Sequence, residues 1–233
     1  MTIPYVTSFS DDFNDATSLL ALFPADGSRW TGWERKPTQS INDATLVSDG
    51  LGGRLMKFVA QASVRPYPDG LSKMEIKKQN FAFKAGMTVE ILARYYLVGT
   101  KPADGLLLCD LEGPPDSEGE PGIRLILVGG SGEYLAVDRS KFGQPTIYQP
   151  SPILFPRNAW VRLRWRIALS QGQDGAIWLF QEDAALLHAA NVQTMPPANM
   201  TNGVYDDLQV GITANGYQSD AIVGVDNVSI AAV

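Results

Sequence analysis

A chain of 233 residues, 45% hydrophobic and 19% charged, falls in the ordinary globular range and is long enough to bury a large core. Its formal charge of −6 argues against general phosphate-backbone binding, so no nucleic-acid partner is expected. No stretch approaches the roughly 20 apolar residues of a membrane span, which argues against membrane insertion.

The opening MTIPYVTSFSDDF has neither a basic n-region nor an apolar h-region. No secretory signal is read there, and the expectation is synthesis in the cytoplasm, with virion or surface association as an option. NDATSLLALF (14–23) offers Asn14 or Asp15 as an N-cap for one or two helical turns. SRWTGWER follows in a Gly-containing loop; Trp30 reads as core, whereas Trp33 reads equally as core or as a flat face for a sugar ring.

Strand patterns then recur, with Gly, Pro, Asn and Asp at the joints. In 54–62, Leu55, Lys57 and Val59 alternate with Met56, Phe58 and Ala60. In 71–83, Lys73, Glu75 and Lys77 share a face. In 87–98, Glu90, Arg94 and Tyr96 stand opposite Ile91 and Tyr95. In 104–112, Asp110 and Glu112 share a face while Cys109 and Leu111 point to the core. That acidic pair has three readings: acid and base of a reaction, contact with sugar hydroxyls or an ion, or pairing with arginines of neighbouring strands. Cys109 is the single cysteine, so no internal disulfide forms, and its run LLLC marks a buried small hydrophobe.

EGPPDSEGEPG (112–122) is a long loop, and 122–130 puts Arg124 on its polar side. GGSG (129–132) reads as a hairpin turn before 133–139. Arg124 and the polar sides of 71–83, 87–98 and 104–112 together outline one mixed-charge inner face, whose ordinary role is mutual charge satisfaction. In AWVRLRWRIALS (159–170), Val161, Leu163, Trp165, Ile167 and Leu169 alternate with Arg162, Arg164 and Arg166. A hairpin through SQGQDG to 175–183 would bring Trp178 or Phe180 over an arginine. Parity alone leaves open which sheet holds these arginines. QEDAALLHAAN (181–191) is a short helix or a hairpin return, and its His188, the only histidine, reads as a surface residue. Strands at 206–214 and 221–230 end the chain. Ten to fourteen strands almost without helices predict an all-β antiparallel sandwich or jelly roll, as one domain over 1–233.

Several phrases together resemble the concanavalin A-like lectin/glucanase superfamily: FSDDFND (9–15), VGVDNVSI (223–230), and between them 121–143, 155–183 and 208–216. The succession is most similar to the heparin-lyase-like polysaccharide lyases and their non-catalytic relatives, and SKMEIKK resembles their Arg-x-Glu phrase. The resemblance implies two curved sheets with a glycan-facing groove on the concave one. Such lyases need a group that neutralises a uronate carboxylate and a Tyr or His base beside the carbon acid. A Gln-x-His element would be expected on a central strand, where Asp110 and Glu112 stand instead. The Glu-x-Asp-x-x-Glu of the retaining glucanases is also missing.

The reading that follows is a non-catalytic carbohydrate-binding or adhesion module, with Trp33, Lys73, Glu75, Arg94, Tyr96, Asp110, Glu112 and Arg124 as ligand contacts. One alternative is a lyase acting on an acidic, uronate-containing glycan through Tyr96, Arg94 and Arg124. Another is a decoration component of a bacteriophage particle, with protein assembly partners. The resemblance also implies one structural Ca²⁺ where the first and last strands meet, held by Asp11, Asp12 and Asp226, hard oxygen donors suited to that ion.

Overall fold

The computed structural model describes residues 5–37, 41–50, 52–62, 72–101, 103–114, 120–129, 133–216 and 219–233. Residues 115–119 of the long loop and 130–132 of the expected GGSG turn lie outside them.

Two antiparallel sheets face each other. The first contains β1 (Ser8–Asp11), β3 (Asp43–Ser48), β4 (Arg54–Ala60), β6 (Thr88–Leu97), β11 (Trp160–Ala168), β12 (Gly175–Gln181), β13 (Ala184–Val192) and β15 (Ala221–Ala232). Its order is β13-β12-β11-β6-β15-β4-β3, with β1 also on β15. The second contains β2 (Gly32–Lys36), β5 (Ser72–Lys84), β7 (Leu106–Glu112), β8 (Gly122–Val128), β9 (Tyr134–Asp138), β10 (Ile147–Tyr148) and β14 (Val204–Asn215), in the order β10-β9-β8-β7-β14-β5-β2. The expected all-β sandwich is what the chain forms.

Alternation builds the core. Met56 and Phe58 of β4, Ile91 and Tyr95 of β6, and Leu163 and Trp165 of β11 are buried from one side. Met74 and Ile76 of β5, Cys109 and Leu111 of β7, and Leu208 and Val210 of β14 meet them from the other, in one continuous cluster. At about 25 cal/mol per Å² of apolar surface removed from water, this cluster is the main stabilising term.

The 14–23 segment forms only a 3₁₀ turn, Leu20–Leu22. Trp30 is fully buried, and Asp11 at the end of β1 accepts its indole N–H at 3.0 Å. Segment 184–192 is the hairpin return rather than a helix, because β13 pairs with β12 along its length. β11 and β12 form the expected hairpin, and both belong to the first sheet.

Candidate functional site

Parity sorts the polar residues of the second sheet onto its outer face, and cross-strand register gathers them in rows. One row runs Lys77, Gln209, Asp110, Arg124, Asp138 across β5, β14, β7, β8 and β9. Beside it lies Gln79, Asp207, Glu112, and on the other side Glu34, Glu75, Gly211. Outward-facing charged groups are normally wet, yet Glu75, Asp110, Glu112, Asp207 and Gln209 are each 3% exposed or less. This face is therefore recessed.

The recess is filled by bonds among its own groups. Glu34 on the edge strand accepts from Lys73 at 2.8 Å and Lys77 at 2.9 Å, and Glu75 accepts from the same two at 3.0 and 3.4 Å. Arg124 pairs with Asp138, and Lys141 pairs with Glu112. Thr213 donates to Asp110 at 2.7 Å, and the Gln209 amide donates to Glu112 at 2.8 Å and to Asp207 and Glu120 at 3.2 Å. Glu75 Oε2 and Asp207 Oδ1 alone among these carboxylate oxygens are buried without a partner.

Burial governs the protonation of this face. It pushes Glu75 up to about 8, against the downward pull of Lys73 and Lys77. It lifts Asp207 to about 7 against Lys77. Asp110 and Glu112 are also raised by burial, and Asp110 adds to the rise at Glu112. Burial works against the Lys77 ammonium, but Glu75, Glu34, Asp207 and Glu120 hold its pKa above that of an ordinary lysine. A lysine so held is a poor general base.

The structure brings together Lys73, Glu75, Asp110, Glu112 and Arg124, as the strand parities suggested. It separates Arg94 and Tyr96 from them. Both lie on β6 in the first sheet and point away from the core on the opposite side of the molecule, where Arg94 pairs with Asp226 and Tyr96 packs edge-on against Trp160. The expectation of one inner face is corrected at these two residues. Alternation says which side of a strand a residue takes, not which sheet the strand joins. The lyase trio Tyr96, Arg94 and Arg124 is split between two sheets accordingly. Trp33 is half exposed on β2, but it opposes Ile76, so it stands on the reverse side of the sheet from Glu34.

Of the implied calcium ligands, Asp226 has its carboxyl pKa raised by burial and, in smaller part, by nearby Asp12, but Asp11 and Asp226 are already engaged by the protein. All acceptor directions of Asp11 are used: its oxygens take the Phe13 N–H at 2.8 Å, two N–H groups of Arg29 at 2.6 and 3.0 Å, and the Trp30 indole at 3.0 Å. Asp226 accepts from Arg94 and from its own neighbour Asn227. Among the described residues, the one group of three carboxylates whose oxygens all approach closely enough to share a metal ion is Asp11, Asp12 and Asp15. Arg29 already bridges Asp11 and Asp15, at 2.6 and 2.8 Å. A guanidinium holds the cation position, and this donor set does not fit Ca²⁺.

Sequence reasoning missed the open end of the recessed face. Tyr134 on β9 has the parity of Asp138, and Tyr148 on β10 opposes Ala136, so both phenols stand on this face. They are 37% and 63% exposed and border a pocket of about 690 Å³, with Asp104, Gln149 and Pro150 among its walls. Gln149 is fixed by donating to the carbonyls of Ser151 and Ile153 and accepting from Leu135 N–H. The alternation in EYLAVDR could have placed Tyr134 beside Asp138. The two-residue strand at Tyr148 carries no periodic signal.

With this geometry in hand, the chain compares with solved structures as follows. An endo-β-1,4-glucuronan lyase from the fungus Trichoderma reesei superposes with a TM-score of 0.71 at 14% identity, covering 98% of this chain and 96% of that one. An alginate lyase gives 0.64 at 13%, covering 99% and 98%. The cellulose-induced protein Cip1 gives 0.62 at 14%, covering 96% of each chain. No family model matches the chain, and no curated protein matches it in sequence. At 13–14% identity this likeness is one of fold: the two-sheet antiparallel β-sandwich that these structures share with the chain.

Proposed function

We propose that this chain is a carbohydrate-binding module that works without catalysis, using the outer face of its second sheet. The observation that carries this reading is the pocket at the open end of that face, where two exposed tyrosines stand beside fixed polar groups. Aromatic faces flanked by a few placed hydrogen-bonding groups suit pyranose rings, which are apolar on their faces and polar at their edges.

The absence of catalysis is argued from the neighbouring network. β-Elimination beside a uronate requires a cation or amide free to neutralise the carboxylate, and a base within hydrogen-bond reach of the carbon acid. Lys73, Lys77, Arg124 and Lys141 are each already paired with carboxylates. Among the described residues, neither Tyr134 nor Tyr148 bonds to any member of that network, and the sole histidine, His188, lies on the first sheet against Trp178.

The test is calorimetric titration against a panel of neutral and acidic oligosaccharides. A hit in the wild type should weaken about tenfold in the Tyr134→Ala/Tyr148→Ala variant. Unchanged binding would remove the pocket from the proposal. A second reading, elimination on a uronate glycan, is favoured by the end-to-end likeness to the two lyases. It predicts growth of the ultraviolet absorbance of unsaturated uronates on alginate, glucuronan, heparinoids or pectate. Any such growth would replace the non-catalytic reading.

A further inference from the structure

The three arginines of β11 are not part of that site. Arg162, Arg164 and Arg166 face away from the core of the first sheet at intervals of about 7 Å, two residues of strand rise. Arg164 lies over the Phe180 ring at 4.1 Å and Arg166 over Trp178 at 5.7 Å, while Arg94 of β6 lies over Trp160 at 4.9 Å. Arg94 and Arg162 oppose each other directly across the strands, an arrangement that costs stability unless each finds a counter-charge. Both do: Arg94 pairs with Asp226, and Arg162 pairs with Glu182 and Asp183.

Arg164 and Arg166 have no carboxylate partner among the described residues. Even Glu90, which opposes Arg166 on β6, forms no ion pair with it. A guanidinium stacked on a ring has its plane fixed and its N–H edge open, the geometry that receives a carboxylate or sulfate in bidentate fashion.

We propose that the outer face of the first sheet is a second binding surface, for a linear glycan bearing carboxylate or sulfate groups, with Arg164 and Arg166 as its principal contacts. The face itself selects this class of partner. A protein interface is anchored by large protruding aromatic side chains, whereas the aromatic residues of this face, Tyr96, Trp160, Trp178 and Phe180, are half-buried, the last three beneath arginines. A nucleic acid needs a broader basic footprint than two free arginines on a chain of net charge −6, with Glu182 and Asp183 at one end of the row. An extended polyanion lying along β11 needs only repeated anionic groups in reach of the arginines.

The experiment measures binding of heparin as the sulfated probe and alginate as the carboxylated one, with dextran as the neutral control, at low ionic strength. The wild type should bind at least one polyanion and not dextran, and the preferred probe identifies the anion. Arg164→Gln/Arg166→Gln should weaken that binding at least about tenfold. Arg164→Lys/Arg166→Lys, which keeps the charge but loses the fork, should recover only part of it, and it carries the test if the glutamine variant fails to fold. Arg164→Gln/Arg166→Gln should leave unchanged any binding of a neutral oligosaccharide that Tyr134→Ala/Tyr148→Ala weakens, which separates this surface from the tyrosine pocket. The proposal is overturned by wild-type protein that binds neither polyanion, by arginine variants that bind as well as wild type, or by tighter binding of single-stranded DNA than of heparin.

Discussion

Glu75 shows how one residue reports on its surroundings. Its side chain is fully buried, Oε1 is held by two lysines, and Oε2 has no partner. An unpaired buried carboxylate oxygen is costly, so the proton is retained to about pH 8 in the folded state, and Asp207 retains its own to about 7. Between the ordinary carboxylate range and those values, the folded protein binds protons that the unfolded chain has released, so stability falls as pH rises. Glu34 has the opposite shift: burial raises it, but Lys73 and Lys77 more than offset this, so its stabilisation persists throughout that window and fades only in acid. The thermal unfolding midpoint should therefore fall between about pH 5 and pH 8, and Glu75→Gln should flatten the slope. A midpoint that rose over the same range would contradict the protonated Glu75. Asp11 is the second residue of this kind. It ties β1 to Arg29 and Trp30, and Asp11→Ala should cost about 3 kcal/mol in chemical denaturation, the lower end for breaking a buried pair because Arg29 is partly exposed.

At the scale of elements, β14 is central to the second sheet, lying between β5 and β7, and its register against β7 slips between Val210 and Ala214, the stretch that contains Gly211. Gly211 has φ of +132°, and a Cβ there would lie 2.9 Å from the Met74 carbonyl oxygen and from the Phe58 ring. Glycine is required both by the backbone angle and by the close approach of the core. Gly211→Ala should lower stability by about 3 kcal/mol and disturb the row holding Glu34 and Glu75, measurable by denaturant titration. β11 is the counterpart in the first sheet. Its inward residues were legible from alternation and are all buried, and its pairing with β12 was legible from the turn residues between them. The stacking of Arg164 and Arg166 on cross-strand rings follows from that hairpin register alone.

For the whole molecule, the position at the meeting of first and last strands is the instructive one. The resemblance implied calcium there, but Arg29 supplies the positive charge that bridges Asp11 and Asp15. The midpoint of thermal unfolding should be the same in millimolar CaCl₂ and in EDTA, since a ligand stabilises only by its preference for the folded state. A shift of several degrees would establish a cation site. Among the described residues no helix is long and apolar enough to cross a membrane.

What the chain determined by itself was local: where strands lie, which side of each is apolar, and hence an all-β sandwich with Asp110 beside Glu112 and Lys73 beside Glu75. Those readings need only a side-chain period of two and turn residues at the joints. Tertiary structure decided which strands became neighbours. Asp226 meets Arg94 from 132 positions away, and Arg124 joins Asp110 but not Tyr96, because β6 pairs with β11 and β15 while β8 pairs with β7 and β9. Strand pairing is settled by burying both apolar faces in one core at once, a condition on the whole chain that no single alternating segment contains.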